Sequence, residues 1–178
     1  MAAARKDRRA VVLFEDEMTA QLTPTLTRMW GLKTHQPEPG MWIGTRQKTH
    51  VFGALDAKNG RFLSMQAQWI NAGSFIRFLR KVAKVYKGRK IMLILDNARW
   101  HKAKKVQTYL DGSAIALVFL PPYCPKMNPV EKVWKLFRKS VTHNYFHETL
   151  VRMVWATANF FRSLRKEKCR FLFYCRNC

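Results

Sequence analysis

The sequence predicts a mixed α/β fold, with one central sheet and helices on both of its faces. A β-branched run followed by a hairpin places antiparallel strands first. Two short apolar runs later in the chain, Ile91–Leu95 and Ala114–Leu120, lack polar alternation and read as buried strands. Helical periodicities precede and separate those runs, as βαβ crossovers require. The first three strands are therefore expected to be antiparallel and the rest parallel. A chain of 178 residues has the length of one such domain.

Taken in order, residues 1–10 read as a basic leader. Val11–Asp16 is the first strand, with Asp16 at its end. Residues 18–47 contain Pro24, Gly31, Pro37, Pro39, Gly40 and Gly44, and read as a long irregular connection pinned by Trp30 and Trp42. His50–Leu55 and Arg61–Gln66 are two strands joined by Asp56-Ala57-Lys58-Asn59-Gly60, where Asn-Gly is a hairpin signal and Asp56 a turn residue. Asn71–Tyr86 is a helix, because Phe75, Phe78, Leu79 and Val82 recur at helical spacing; Gly88 ends it. Beyond Ile91–Leu95, a basic helix over Ala98–Leu110 closes at Asp111-Gly112. After Ala114–Leu120 and a proline-rich loop, Asn128 caps a helix with Pro129 in its first position. That helix runs to Val141 and presents Val130, Val133, Trp134, Phe137 and Val141 as one stripe. Residues 11–145 form the main domain, and 146–178 a C-terminal helix with a basic, Cys-containing tail. Cys169, Cys175 and Cys178 read as free thiols rather than a disulfide framework.

The charge narrows the function. Lys and Arg number 33 against 11 Asp and Glu, giving +22, which calls for a polyanionic partner, nucleic acid first. Such cations confer affinity and salt sensitivity without reading bases. A 48% hydrophobic share with 13% aromatics excludes a disordered basic arm. No apolar run approaches the ~18 residues that span a bilayer, and no signal peptide is apparent. A glycine-rich phosphate loop and a G-x-S-x-G nucleophile motif are both absent.

With so few acids, their positions carry information. Glu15, Asp16 and Glu17 are consecutive, Asp96 follows the most apolar strand, and Glu131 opens a helix. On a strand Asp16 shares a face with Val12 and Phe14, while Glu15 and Glu17 share the other with Leu13. Carboxylates beside a polyanion are unfavourable unless cations lie between them. If Asp16, Asp96 and Glu131 meet, two Mg²⁺ (or Mn²⁺) ions, roughly 3.5–4 Å apart, would balance their charge. Spacing alone leaves another reading open, with the two aspartates as strand-end caps and Glu131 favouring its helix dipole. His101, Lys102 and Lys105 after Asp96, and Lys132, Lys135 and Lys139 on the Glu131 helix, are candidate DNA contacts. A packing role for His101 and a solvated face for the lysines stay equally open.

Two long segments add specificity. Leu95-Asp96-Asn97-Ala98-Arg99-Trp100-His101-Lys102-Ala103 and Leu120-Pro121-Pro122-Tyr123-Cys124-Pro125-Lys126-Met127-Asn128-Pro129-Val130-Glu131-Lys132-Val133-Trp134 resemble the catalytic domain of DDE transposases, in the bacterial insertion-sequence branch of the mariner superfamily. Phe14-Glu15-Asp16-Glu17 resembles that family's first-strand motif, and Val51-Phe52-Gly53-Ala54-Leu55 its second strand. The 34 residues between Asp96 and Glu131 suit the superfamily. The resemblance implies a ribonuclease-H-like fold over 11–145 and a catalytic, metal-binding triad of Asp16, Asp96 and Glu131. It implies two divalent metals, cleavage at transposon ends and strand transfer into target DNA, commonly at TA. It also implies a homodimer in the active complex and a cytoplasmic, nucleoid-associated bacterial protein. Family members usually carry an N-terminal helix-turn-helix region; here the first strand begins after about ten residues, so a separate helix-turn-helix polypeptide is expected. A non-catalytic DNA-binding relic, or a nuclease of the same fold without strand transfer, stand as alternatives.

Overall fold

A computed structural model describes residues 10–23, 25, 27–28, 46–122 and 127–167. Its centre is a five-stranded sheet in the order β3-β2-β1-β4-β5, formed by β1 (Val11–Gln21), β2 (Lys48–Asp56), β3 (Phe62–Ala67), β4 (Ile91–Leu95) and β5 (Ile115–Phe119). β1, β2 and β3 pair antiparallel, and β4 joins β1 and β5 in parallel. The expected change from antiparallel to parallel strands is thus present.

Period-two alternation distributes the core between the two faces. Val11 and Leu13 of β1, with Phe52 and Ala54 of β2, face α1 (Ala72–Val85) and Val106 of α2 (Lys104–Leu110). Met18 and Ala20, with Val51 and Leu55, face α3 (Val130–Phe137) and α4 (Leu150–Glu167). Helices therefore cover both faces. α1 begins where the Asn71 side chain accepts the Ser74 amide, and ends at Tyr86, two residues before Gly88 at φ +74°. In the hairpin, Asp56 Oδ1 accepts the amides of Lys58 and Asn59, and Gly60 takes φ +70°.

Four expectations need correction. β1 does not stop at Asp16: it continues to Gln21, because β2 offers antiparallel partners as far as Gln21–Lys48. The start of the supposed 18–47 connection is therefore strand; Trp30 and Trp42 lie outside the described residues. The basic helix expected over 98–110 is broken. A 3-10 turn, Arg99–Lys102, is followed by extended Ala103 (ψ 141°) before α2 begins. The break lets His101 face the sheet while α2 packs Val106 into the core. β5 is an edge strand with only Ile115 fully buried, its apolar sequence notwithstanding. The helix expected to reach Val141 changes to a π-turn at Arg138–Thr142, which still buries Val141.

Gly53 illustrates how closely β2 meets α3. A Cβ there would lie 2.5 Å from Trp134 Cη2 and 2.6 Å from Phe62 Cζ. Gly53→Ala is therefore expected to destabilise the fold by about 1–3 kcal/mol through overpacking, read as a lower urea midpoint; an unchanged midpoint would mean that the indole moves aside freely.

Candidate active site

Asp16 occupies a notch in the sheet. The parallel pairing of β1 and β4 ends at Phe14–Ile94; Asp16 lies two residues further along β1, and Asp96 one residue past the end of β4. On its other side Asp16 pairs with Gly53. The missing side chain there makes room for Trp134, whose Nε1 donates to Asp16 Oδ2 at 2.8 Å.

α3 brings Glu131 to this notch. Asn128 holds the helix start: its Oδ1 accepts the Val130 amide at 3.1 Å, and its Nδ2 donates to the Glu15 carbonyl at 2.7 Å. The first-turn residue of α3 is thus tied to the stretch of β1 that carries the acids. Burial pushes the Asp16 carboxyl up to about 7 against the opposing Trp134 bond, and the negative charges of Glu17 and Glu131 add to the rise. Asp16 and Glu131 are therefore near enough to repel. Asp16 and Glu131 are both partly buried, and the Asp96 side chain is 58% exposed.

The opposite face of β1 carries a second acidic group. His101 Nε2 lies 2.9 Å from Glu17 Oε1 and 3.8 Å from Glu15 Oε2, and its Nδ1 lies 3.3 Å from Asp96 Oδ1. Trp100 Nε1 donates to the same Glu17 oxygen at 2.8 Å. Burial opposes a charge on His101, but the bonds to Asp96 and Glu17 and their negative charges outweigh it, pushing the imidazole up to about 9. The bond from His101 in turn holds Asp96 below the usual carboxylate range, despite partial burial. Glu15 is fully buried, and neither of its carboxylate oxygens has a hydrogen-bond partner among the described residues. Burial, then the charges of Glu17, Asp16 and Asp96, drive its pKa well upward. Glu15, Glu17 and His101 offer ligand atoms within 4.8 Å of one another, but existing hydrogen bonds already engage Glu17 and His101.

His101 was a candidate DNA contact, and the structure corrects this: at 0% exposure it cannot touch DNA. Lys102, Lys105, Lys132, Lys135 and Lys139 are all exposed. Lys102 also donates to Asn97 Oδ1 at 2.8 Å. The sequence reading did not identify the partnership of Glu15, Glu17 and His101. Its signal was present in the alternation of β1, which sets two acids in line with core residues Val11 and Leu13. The roles of Asn128 and Trp134 as ties to β1 were also missed.

A 3-2-1-4-5 sheet with acids at the end of its central parallel pair defines a ribonuclease-H-like catalytic core. Residues 11–153 match the family of the DDE superfamily endonuclease, and the chain belongs to that family. The resemblance to a DDE transposase catalytic domain of the insertion-sequence branch therefore holds. The insertion element IS630 uncharacterized 39 kDa protein of Shigella sonnei is 28% identical over 136 residues, covering 75% of this chain and 39% of that protein. The uncharacterized protein y4pE/y4sA of Sinorhizobium fredii (strain NBRC 101917 / NGR234) is 31% identical over 96 residues, covering 53% of this chain and 69% of that protein. The chain thus spans well under half of the first relative's length. Among solved structures, the mariner Mos1 paired end complex with Mg superposes with TM-score 0.63 at 13% identity, over 97% of this chain and 54% of its own. The catalytic core domain of BIV integrase gives 0.56 at 15%, over 88% and 84%. At such identities these structures attest the fold.

The buried imidazole gives a pH test on metal-free protein. His101 titrates near 9 when folded against 6.5 ordinarily. Its contribution is complete below about 6.5 and is lost as pH climbs through 9. Asp16 and Glu15, raised in the fold, act in the same direction. In the presence of chelator, unfolding free energy is expected to fall by roughly 3 kcal/mol from His101 between those limits. A urea midpoint flat across this range would contradict the charged, doubly bonded imidazole.

Proposed function

We propose that this chain is the catalytic domain of an insertion-sequence transposase, cutting DNA at the element's ends and joining the released 3′-hydroxyl to target DNA. The observation that carries this reading is the match of residues 11–153 to the DDE endonuclease family, with Asp16 on the central strand, Asp96 just past the end of β4 and Glu131 in the first turn of α3. Such a set of acids in a +22 protein fits a site built for divalent cations. Asp16, Asp96 and Glu131 would hold two of them, Mg²⁺ or Mn²⁺. When bound, these cations would stabilise charge on the attacking and leaving oxygens of a phosphodiester displacement.

The chain's own groups do the rest. The Trp134 N–H fixes the orientation of the Asp16 carboxylate. Exposed Lys132, Lys135 and Lys139 on and just beyond α3, with Lys102 and Lys105 beyond β4, bind phosphates and align the strand. Water first attacks the phosphodiester and leaves a 3′-hydroxyl and a 5′-phosphate. That hydroxyl then attacks a target phosphodiester, so one P–O bond forms as another breaks. Residues 11–145 constitute the catalytic domain, with 146–178 as an appended helix and tail. The partners are transposon ends, target DNA, a second copy of the chain and a helix-turn-helix polypeptide that reads the ends. The setting is the bacterial cytoplasm, at the nucleoid. No helix among the described residues is long and apolar enough to cross a membrane.

Asp16→Asn, Asp96→Asn and Glu131→Gln are each expected to lower Mg²⁺-dependent cleavage by on the order of a thousandfold, with DNA binding retained. Cleavage within tenfold of the unaltered chain would overturn the reading, and cut but never joined products would reduce it to a nuclease. Replacing Lys132, Lys135 and Lys139 together with Ala is expected to reduce the slope of log affinity against log salt by about three. An unchanged slope would remove α3 from the DNA interface.

A further inference from the structure

The geometry points to His101 as a positioning residue that locks Asp96 to β1 through Glu17, an inference that rests on the active-site reading above. Asp96 lies one residue beyond the end of β4, outside the strand ladder, with a side chain 58% exposed. A carboxylate so placed would sample several rotamers. Here Asp96 Oδ1 accepts the Ala98 amide at 2.9 Å and lies 3.3 Å from His101 Nδ1, which also lies 3.4 Å from the Asp96 main-chain oxygen. A carboxylate held at one oxygen has a second with which to meet a cation.

His101 can impose a direction because it cannot move. It is wholly buried, its ring centroid lies 4.4 Å from that of Phe75, and the Trp100 indole stands nearly perpendicular to it at 5.7 Å. Its Nε2 meets Glu17 at 2.9 Å, and Trp100 fixes the same Glu17 oxygen from another side. The ring thus stands between the two carboxylates, its Nδ1 facing Asp96 and its Nε2 facing Glu17, with the Trp100 Nε1 also 3.0 Å from Nε2. Glu17 belongs to β1 and is the residue after Asp16. Two aspartates that must share a cation are thus referred to one strand: Asp16 through its own backbone, Asp96 through the imidazole. His101 touches neither DNA nor the reacting atoms. Partners that orient ligands of a metal typically contribute 10–100-fold to its affinity.

The test measures Mn²⁺ binding by calorimetry on the whole chain, with cleavage kinetics and melting alongside. His101→Ala and Glu17→Gln are each expected to weaken Mn²⁺ binding about 10–100-fold and to lower kcat while leaving KM for DNA unchanged. The double variant is expected to be no worse than the more affected single one, because both break the same relay. His101→Gln, retaining one N–H donor, should recover part of the loss. If His101→Ala does not fold, Glu17→Gln and His101→Gln carry the test. Asp96→Asn separates the two readings. If it weakens Mn²⁺ binding and the His101 and Glu17 variants do not, the relay is wrong and the active site stands. If Asp96→Asn also leaves binding unchanged, both fall. A metal that survives chelation in the unaltered chain and is lost in Glu15→Gln would overturn the relay too, making the imidazole a ligand.

Discussion

The parallel ladder between β1 and β4 stops at Phe14 and Ile94, while the antiparallel ladder between β1 and β2 runs on to Gln21 and Lys48. β1 is therefore supported on both edges up to its acids and on one edge beyond them. This difference in length opens the notch. A chain leaving β4 must turn away there, and the 3-10 turn that follows carries His101 back beneath the sheet. Asn128 closes the arrangement by tying the start of α3 to the Glu15 carbonyl. Three segments distant in sequence are thus brought to one place by backbone pairing and two polar side chains.

Charge is managed differently on the two faces of β1. On the α3 side, Asp16 and Glu131 repel, relieved by a single indole N–H. On the α1 side, the buried His101 imidazole stands between Glu17 and Asp96, whose bonds and charges push its pKa up to about 9, and burial drives Glu15 upward. One face is left electrostatically unsatisfied and the other is compensated within the protein. Under the proposed function, cations sit at Asp16, Asp96 and Glu131, and the proposed relay gives Glu17 and His101 a supporting part.

Much of this could be read from residue pattern. The hairpin was legible because Asn-Gly sits between two β-rich runs, and α1 because its apolar residues keep helical spacing and Asn71 and Gly88 bracket it. The face shared by Val12, Phe14 and Asp16 followed from alternation alone. The extent of β1 was not legible, since Met18–Gln21 become strand through partners more than twenty-five residues away. Neither was the break at Ala103: nothing local forbids helix from Ala98 to Leu110, and the deciding influence is the tertiary demand to bury His101. β5 has a wholly apolar sequence, but an edge position is a property of the assembled sheet. The ties made by Asn128 and Trp134 were hidden because each joins residues more than a hundred positions apart.

Gly53, Trp134 and Asp16 form a vertical stack through the sheet: a bare backbone position, an indole filling the space above it, and a carboxylate fastened to the indole's edge. Sequence drift at these sites cannot be independent. A relative with a side chain at position 53 must carry a slimmer residue at 134, and with it forfeits the N–H that keeps the pKa of position 16 from rising further. Hydrophobic fit and carboxylate chemistry are inherited together here, so covariation between a core glycine and a helix aromatic would record selection for catalysis.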